Sequence, residues 1–129
     1  GIRMSFSNYL ETEILDHVFA GAAYTAPSAL YLALYTATPN DAGGGTELSG
    51  SGYVRKAASF STSGATTSNS GAIEYPTANG NWGTITHIGV FDAASSGNLM
   101  AYGALSASKA VATGDVFRIP VGDLDITLN

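Results

Sequence analysis

Few side chains in this 129-residue sequence can do chemistry. The two histidines, His17 and His87, are the only groups that titrate near neutrality when unperturbed. A zinc site needs three or four converging ligands, and neither histidine sits in a spaced motif such as His-Glu-x-x-His. Both are therefore expected in structural or surface roles. Among the ten carboxylates, Asp123 and Asp125 lie two apart and alternate with Leu124, Ile126 and Leu128, which puts both on the solvent face of a strand. Glu74 and Asp92 are a second pair that strand pairing could bring together. A glycosidase needs two carboxyl groups opposed in a cleft, and nothing in the pattern supplies the cleft.

Nucleophile and phosphate motifs are also missing. Gly50-Ser51-Gly52 has the wrong spacing for a nucleophile elbow. Gly43-Gly44-Gly45 neither follows a strand into a helix nor precedes Lys-Ser or Lys-Thr, as a phosphate cradle would. No catalytic, cofactor-binding or metal-binding residue is assigned, no cofactor is expected, and the chain is not expected to be an enzyme. Trp82 and the tyrosines remain, since aromatic faces stack on pyranose rings. The ordinary reading of Tyr31, Tyr35, Tyr53, Tyr75 and Tyr102 is as half-buried strand residues packed across pairs. Trp82, between Asn81 and Gly83, either faces solvent or plugs the end of a sandwich. Ligand-binding residues stay unassigned.

The elements that must position these residues are legible from periodicity. Phe6, Leu10, Ile14 and Val18 recur every four residues, with Leu15 and Phe19 widening the stripe, while Glu11, Glu13 and Asp16 fall outside it. This predicts one amphipathic helix over about residues 7–20, with Asn8 and Glu11 as a capping box and Gly21 as the stop. After Pro27 the period becomes two: Leu30, Leu32 and Leu34 alternate with Tyr31, Ala33 and Tyr35, as in a strand covered on both faces. Further strands are expected over 53–60, 72–75, 84–91, 99–105, 116–121 and 124–128. The stretches 39–52 and 62–70, rich in Gly, Ser, Thr and Asn, are expected to be loops. Gly89 inside a strand predicts a bulge or a close backbone approach, and Gly122 after Pro120 a bend. Short strands at such spacing predict a mainly β domain, an antiparallel, jelly-roll-like β-sandwich with one N-terminal helix. Gly1-Ile2-Arg3 ahead of Met4 look like an expression scar, leaving residues 4–129 as a single domain.

Composition excludes several classes. Ala, Gly, Ser and Thr fill 63 of 129 positions and only 12% are charged, too few long polar side chains for a salt-bridged helical protein. A net charge of −5 with five scattered Lys and Arg argues against nucleic acid as a partner. Without cysteine there is no disulfide framework, thiolate nucleophile or cysteine zinc site. The chain shows neither a run of eighteen apolar residues nor an export leader, so membrane insertion is not expected and synthesis in a cytoplasm is.

The run Pro27 to Tyr35, then Thr38-Pro39, Gly52-Tyr53-Val54-Arg55-Lys56, the Asn69 to Tyr75 segment, Trp82 to Asp92 and Gly114 to Leu124 together resemble a family of small tailed-bacteriophage virion proteins called phage tail fibre proteins. The resemblance covers nearly the whole chain after the helix. It implies a non-enzymatic structural component of a phage or prophage particle, located in the virion and made in the host cytoplasm. It also implies other phage structural proteins as neighbours and a homo-oligomer, a trimer by the habit of such fibres. Two alternatives are a host-receptor or glycan-binding module that uses Trp82 and the tyrosines, and a capsid decoration or head-associated protein.

Overall fold

The computed structural model describes residues 1–128. In chain order the elements are β1 (Ile2–Phe6), α1 (Asn8–Phe19), β2 (Leu30–Ala37), β3 (Thr46–Glu47), β4 (Lys56–Ala58) and β5 (Phe60–Ser63), followed by β6 (Thr66–Asn69), β7 (Ile73–Glu74), β8 (Gly83–Phe91), β9 (Leu99–Val111), β10 (Arg118–Ile119) and β11 (Leu124–Thr127). The fold is mainly β with one helix. Hydrogen bonding runs in the order β3-β2-β8-β9-β1-β11-β6-β5, with β4 also on β2, and β7 and β10 form a separate ladder. Every pairing is antiparallel except that of β1 with β11, which is parallel and makes the sheet mixed.

β1 joins the two halves of this path. Ile2, Arg3 and Met4 pair with β11, whereas Ser5 and Phe6 pair with β9. Ile2 and Met4 alternate into the main core with Leu32, Leu34, Ile88, Val90 and Leu124. Ile2 and Arg3 thus take part in the sheet together with Met4. The passage of β1 depends on Gly103 of β9, where a Cβ would overlap the Arg3 carbonyl oxygen. Gly103 is thus the close backbone approach that was expected at Gly89. At Gly89 side chains crowd in instead: a Cβ there would meet Leu99 Cδ1 at 2.8 Å and Tyr35 Cε1 at 3.1 Å.

β2 is buried on both faces, as its pattern predicted. Leu32 and Leu34 enter the main core, while Ala33 and Tyr35 pack with Phe91, Leu99 and Tyr102 on the opposite side. The expected loop at 62–70 is instead the hairpin of β5 and β6. Its threonines act as strand formers: Thr62 Oγ1 donates to Thr67 Oγ1 at 2.9 Å, and the Thr66 and Thr127 hydroxyls bond at 2.8 Å across to β11. Asn69 ends β6 buried, with Nδ2 donating to the Gly71 and Pro120 carbonyls at 2.8 and 2.9 Å and Oδ1 accepting from Leu124 N at 2.9 Å. It ties the hairpin to the bend at Gly122 (φ 77°), which the sequence predicted. The loop expected over 39–52 is interrupted by β3, and its first residue, Pro39, is fully buried. The segment 53–60 begins its strand only at Lys56, β9 runs on to Val111, and 116–121 shrinks to β10.

Replacing Gly103 by Ala is expected to force β1 off β9 and to lower unfolding stability by about 1–3 kcal/mol, measured as a drop in the urea midpoint.

Candidate interaction surface

Ser7 sets the position of α1. Its N–H donates to the Met100 carbonyl at 2.8 Å, its hydroxyl donates to the Leu99 carbonyl, and the same oxygen accepts from Leu10 N at 3.2 Å. Ser7 is therefore the N-cap, in place of the expected Asn8, and the Asn8–Glu11 capping box does not form. Gly21, at φ 72°, follows the C-cap as expected. Although α1 packs near β9 and β1, none of its residues is buried. Leu10 and Ile14 are half-buried, whereas Leu15, Val18 and Phe19 stand 58%, 60% and 81% exposed. Between this face and the end of β11 runs an apolar groove of about 1060 Å³, lined by Phe6, Ile14, Leu15, Phe19 and Leu128. Glu11, Glu13 and Asp16 give the helix three acids and no Lys or Arg.

A second constellation organises the loops at the β2 edge. Strand β4 covers the start of β2 and β3 its end, so Leu34 N lies at the break between them and donates to the Tyr53 hydroxyl at 3.1 Å. Tyr53 in turn donates to Glu47 Oε2 at 2.6 Å. Arg55 grips the same carboxylate with both arms, Nε to Oε2 at 2.9 Å and Nη2 to Oε1 at 2.8 Å. Its Nη1 donates to the Ala93 and Ser96 carbonyls at 2.9 and 2.8 Å, and its guanidinium lies 3.7 Å from the Phe91 ring centroid. One side chain thus fastens the 92–98 turn to β3 and β8. Burial alone would raise the Glu47 pKa, but the hydrogen bonds from Arg55 and Tyr53 outweigh it and hold the carboxyl below its ordinary value. Desolvation beside Glu47 pushes the Tyr53 hydroxyl far up, so it stays protonated and donating.

The aromatic residues take the packing roles of the ordinary reading, with Tyr35 and Tyr75 more deeply buried than it expected. Trp82 is 4% exposed and plugs the core, its Nε1 donating to the Ser51 carbonyl at 2.8 Å and its ring edge-on to Tyr53 and Tyr75. Tyr75 is fully buried, with its hydroxyl donating to the Leu32 carbonyl at 2.7 Å. Neither ring presents a face to a sugar, so the Trp82 platform is not formed. Tyr35 is also buried, while Tyr31, Tyr53 and Tyr102 are half-buried. His17 is exposed, its Nδ1 2.9 Å from the Ala22 carbonyl oxygen, and His87 sits half-buried on β8 against Thr86. Asp125 on β11 accepts from Ser68 at 2.5 Å, but Asp123 lies in the preceding turn and both are half-buried. Glu74 pairs with Arg118 at 3.9 Å across β7 and β10, while Asp92 is held by Asn98, so the structure gives the two carboxylates separate partners. Among the described residues no group of three or more His, Cys, Asp or Glu could hold a metal, and no helix is long and apolar enough to cross a membrane.

The Glu47 clip was missed in the sequence because Glu47 lies in what reads as a Gly-rich loop. Its signal was the adjacency of Tyr53 and Arg55 in a chain with five cations. Because the folded Glu47 pKa lies below the ordinary 4.5, the folded state binds fewer protons there than the unfolded state. The stabilisation is complete above that value and is lost as pH falls through the folded pKa. Thermal unfolding is expected to show Glu47→Gln less stable than the wild type at pH 7, with the gap closing as pH drops below 4.5.

No curated protein matches the chain. The family model described as Podophage GP4 fiber I protein gp80 matches residues 5–127, from the last two residues of β1 to the end of β11. By that match, which takes in α1, the Glu47 clip and both sheet halves, the chain belongs to the phage tail fibre family of Podophage GP4 fiber I protein gp80.

Proposed function

We propose that this structural component of a phage fibre works without catalysis, as a homotrimeric subunit whose helix α1 docks on a neighbouring copy. The observation that carries the reading is that α1 buries no residue against its own chain and leaves Leu15, Val18 and Phe19 uncovered beside an apolar groove. Exposed apolar side chains gathered on one element mark an interaction surface.

Charge selects the kind of contact. Two α1 helices meeting across a two-fold axis would oppose Glu11, Glu13 and Asp16 with their own copies. Elsewhere on the chain, a hollow of about 290 Å³ between β9 and β10 is lined by Leu105 and Val116 with Lys109 and Arg118, and by one acid, Asp123. Arg118 has only its long, exposed pairing with Glu74, and Lys109 has no salt bridge among the described residues. The acidic helix of one copy suits this basic hollow of the next. Such a head-to-tail contact closes into a ring when the rotation between copies closes, and three copies make the smallest ring in which each helix docks on a different copy from the one whose helix it receives. In the virion, other fibre or tail proteins would then contact the assembled ring. The fibre family supports this placement over a head-associated one.

Sedimentation velocity tests the reading. The wild type is expected to run as a trimer at tens of micromolar, and Phe19→Asp to raise the concentration for half-assembly by about tenfold or more, since burying a Phe side chain is worth about 1.5–3 kcal/mol. Phe19 is 81% exposed, so the variant keeps its fold. A wild-type monomer throughout that range contradicts the reading.

A further inference from the structure

Asn79 and Gly80 lie in the connection between β7 and β8, with Asn79 exposed. Glycine has no side chain to shield its backbone nitrogen, and among the described residues no backbone hydrogen bond ties Gly80 N. Joining that nitrogen to the side-chain carbon Cγ of Asn79 closes a five-membered ring. Ring closure of this kind is what makes asparagine a thermolabile residue.

The other asparagines followed by a described residue are guarded. Asn8, Asn40, Asn81 and Asn98 precede Tyr9, Asp41, Trp82 and Leu99, whose side chains crowd the nitrogen that would have to attack. Asn69 precedes the small Ser70, yet it is 1% exposed and its amide is held at both ends, Nδ2 by the Gly71 and Pro120 carbonyls and Oδ1 by Leu124 N. The sequence thus offers two candidates for ring closure, and the fold leaves Asn79 alone free to react.

We propose that Asn79 is a self-modification site, which deamidates in the folded protein and whose isoaspartyl product loosens the Trp82 plug. Gly80 N attacks Asn79 Cγ; the new C–N bond replaces the Cγ–Nδ2 bond, and the Gly80 N–H proton leaves with Nδ2 as ammonia. Water then opens the cyclic imide. Addition at Cγ gives aspartate, whereas addition at the backbone carbonyl carbon of residue 79 gives isoaspartate, whose main chain runs through Cβ and Cγ and is longer by a methylene. Water enters, ammonia leaves, and nothing is oxidised or reduced. The longer main chain has no room. Before the site, Ala78 N donates to the Asp115 carbonyl at 2.9 Å and Asn79 N to the Ser51 carbonyl at 3.1 Å; after it, Trp82 N donates to the Val111 carbonyl at 2.9 Å and Trp82 Nε1 to the Ser51 carbonyl at 2.8 Å. Gly80 itself packs so closely on Ser51 that a Cβ would overlap the Ser51 hydroxyl. Lengthening the chain between these fixed points pushes the indole off the Ser51 carbonyl. None of residues 78–82 lines the groove beside α1 or the basic hollow, so the site stands or falls separately from the trimer.

Peptide mapping by mass spectrometry of the folded wild type, held for several weeks at body temperature in mildly alkaline buffer, tests this. Asn79→Gln, whose longer amide would need a six-membered ring, is aged alongside, and Asn79→Asp is measured fresh, since it carries the new charge without the added methylene. The Asn79 peptide is expected to gain the mass of an amide-to-acid conversion and to separate chromatographically into aspartyl and isoaspartyl forms, while the Asn69 peptide stays unconverted. Trp82 is the chain's single tryptophan, so fluorescence reports on the plug alone. Emission of the aged wild type is expected to shift to the red, with aged Asn79→Gln and fresh Asn79→Asp unshifted. No conversion at Asn79, or Asn69 converting as fast, overturns the proposal. So does an isoaspartyl fraction without the red shift, or an equal shift in either variant.

Discussion

The backbone of β1 serves two sheet halves at once, and the rest of the molecule is arranged around that constraint. Its first three residues lie parallel to β11 and its last two lie antiparallel to β9. A strand can change partners within five residues only if something at the crossing gives way, and the missing side chain of Gly103 provides the room. Because β1 ends against β9, the next residue, Ser7, meets the Leu99 and Met100 carbonyls and starts α1 there. The helix therefore leaves the sheet at a fixed point, with its second and third turns running past the region where its own chain could cover them.

That departure point governs two surfaces. One side of α1 borders the open apolar groove, and its first turn lines a cavity of about 460 Å³ together with residues 41–44 and Asn98. The opposite wall of the cavity, the 92–98 turn, is held by the Arg55 grip on Glu47 and by Asp92 on Asn98. Hydrogen bonds inside Asp92's turn outweigh its desolvation and lower its pKa, so the turn is most secure with the carboxylate ionised. A chain with 12% charged residues spends one of its few ion pairs on loop geometry. Removing one partner of such a largely buried pair leaves the other charge uncompensated, so the pair holds the loop wall in one arrangement.

What the sequence disclosed follows from local physics. Period-two alternation located β2, the four-residue repeat located α1, and Gly21 and Gly122 marked the helix stop and the bend, both at positive φ. The misses share a cause, which is that composition was asked to stand for tertiary context. Thr62, Thr66 and Thr67 read as loop beside Gly64 and Ser63, yet β-branched residues pair well once β11 offers an edge. Asn69 reads as a turn residue, whereas its amide is what makes the turn at 120–124 possible. Gly103 resembles any other glycine in a strand, since the strand that presses on it lies a hundred residues earlier in sequence. The helix stripe was read correctly as apolar, but a stripe does not say whether it is covered from within or from outside. The tyrosines posed the same problem: Tyr35 and Tyr75 occupy similar strand-like contexts, and only the fold shows that the Tyr75 hydroxyl donates to the Leu32 carbonyl while Tyr35 packs on the opposite face of β2.

Membership of the fibre family makes an uncovered helix face intelligible, since such a component associates with other phage structural proteins. The most direct measurement of whether that face is a subunit contact is hydrogen–deuterium exchange of the α1 amides as a function of protein concentration. If neighbouring copies cover the face, exchange across Ile14 to Phe19 slows as concentration rises through assembly, while β2 and β8 stay equally protected throughout. If α1 exchanges at one rate at all concentrations, while sedimentation shows the oligomer forming, the helix is not the interface and the assembly account is contradicted.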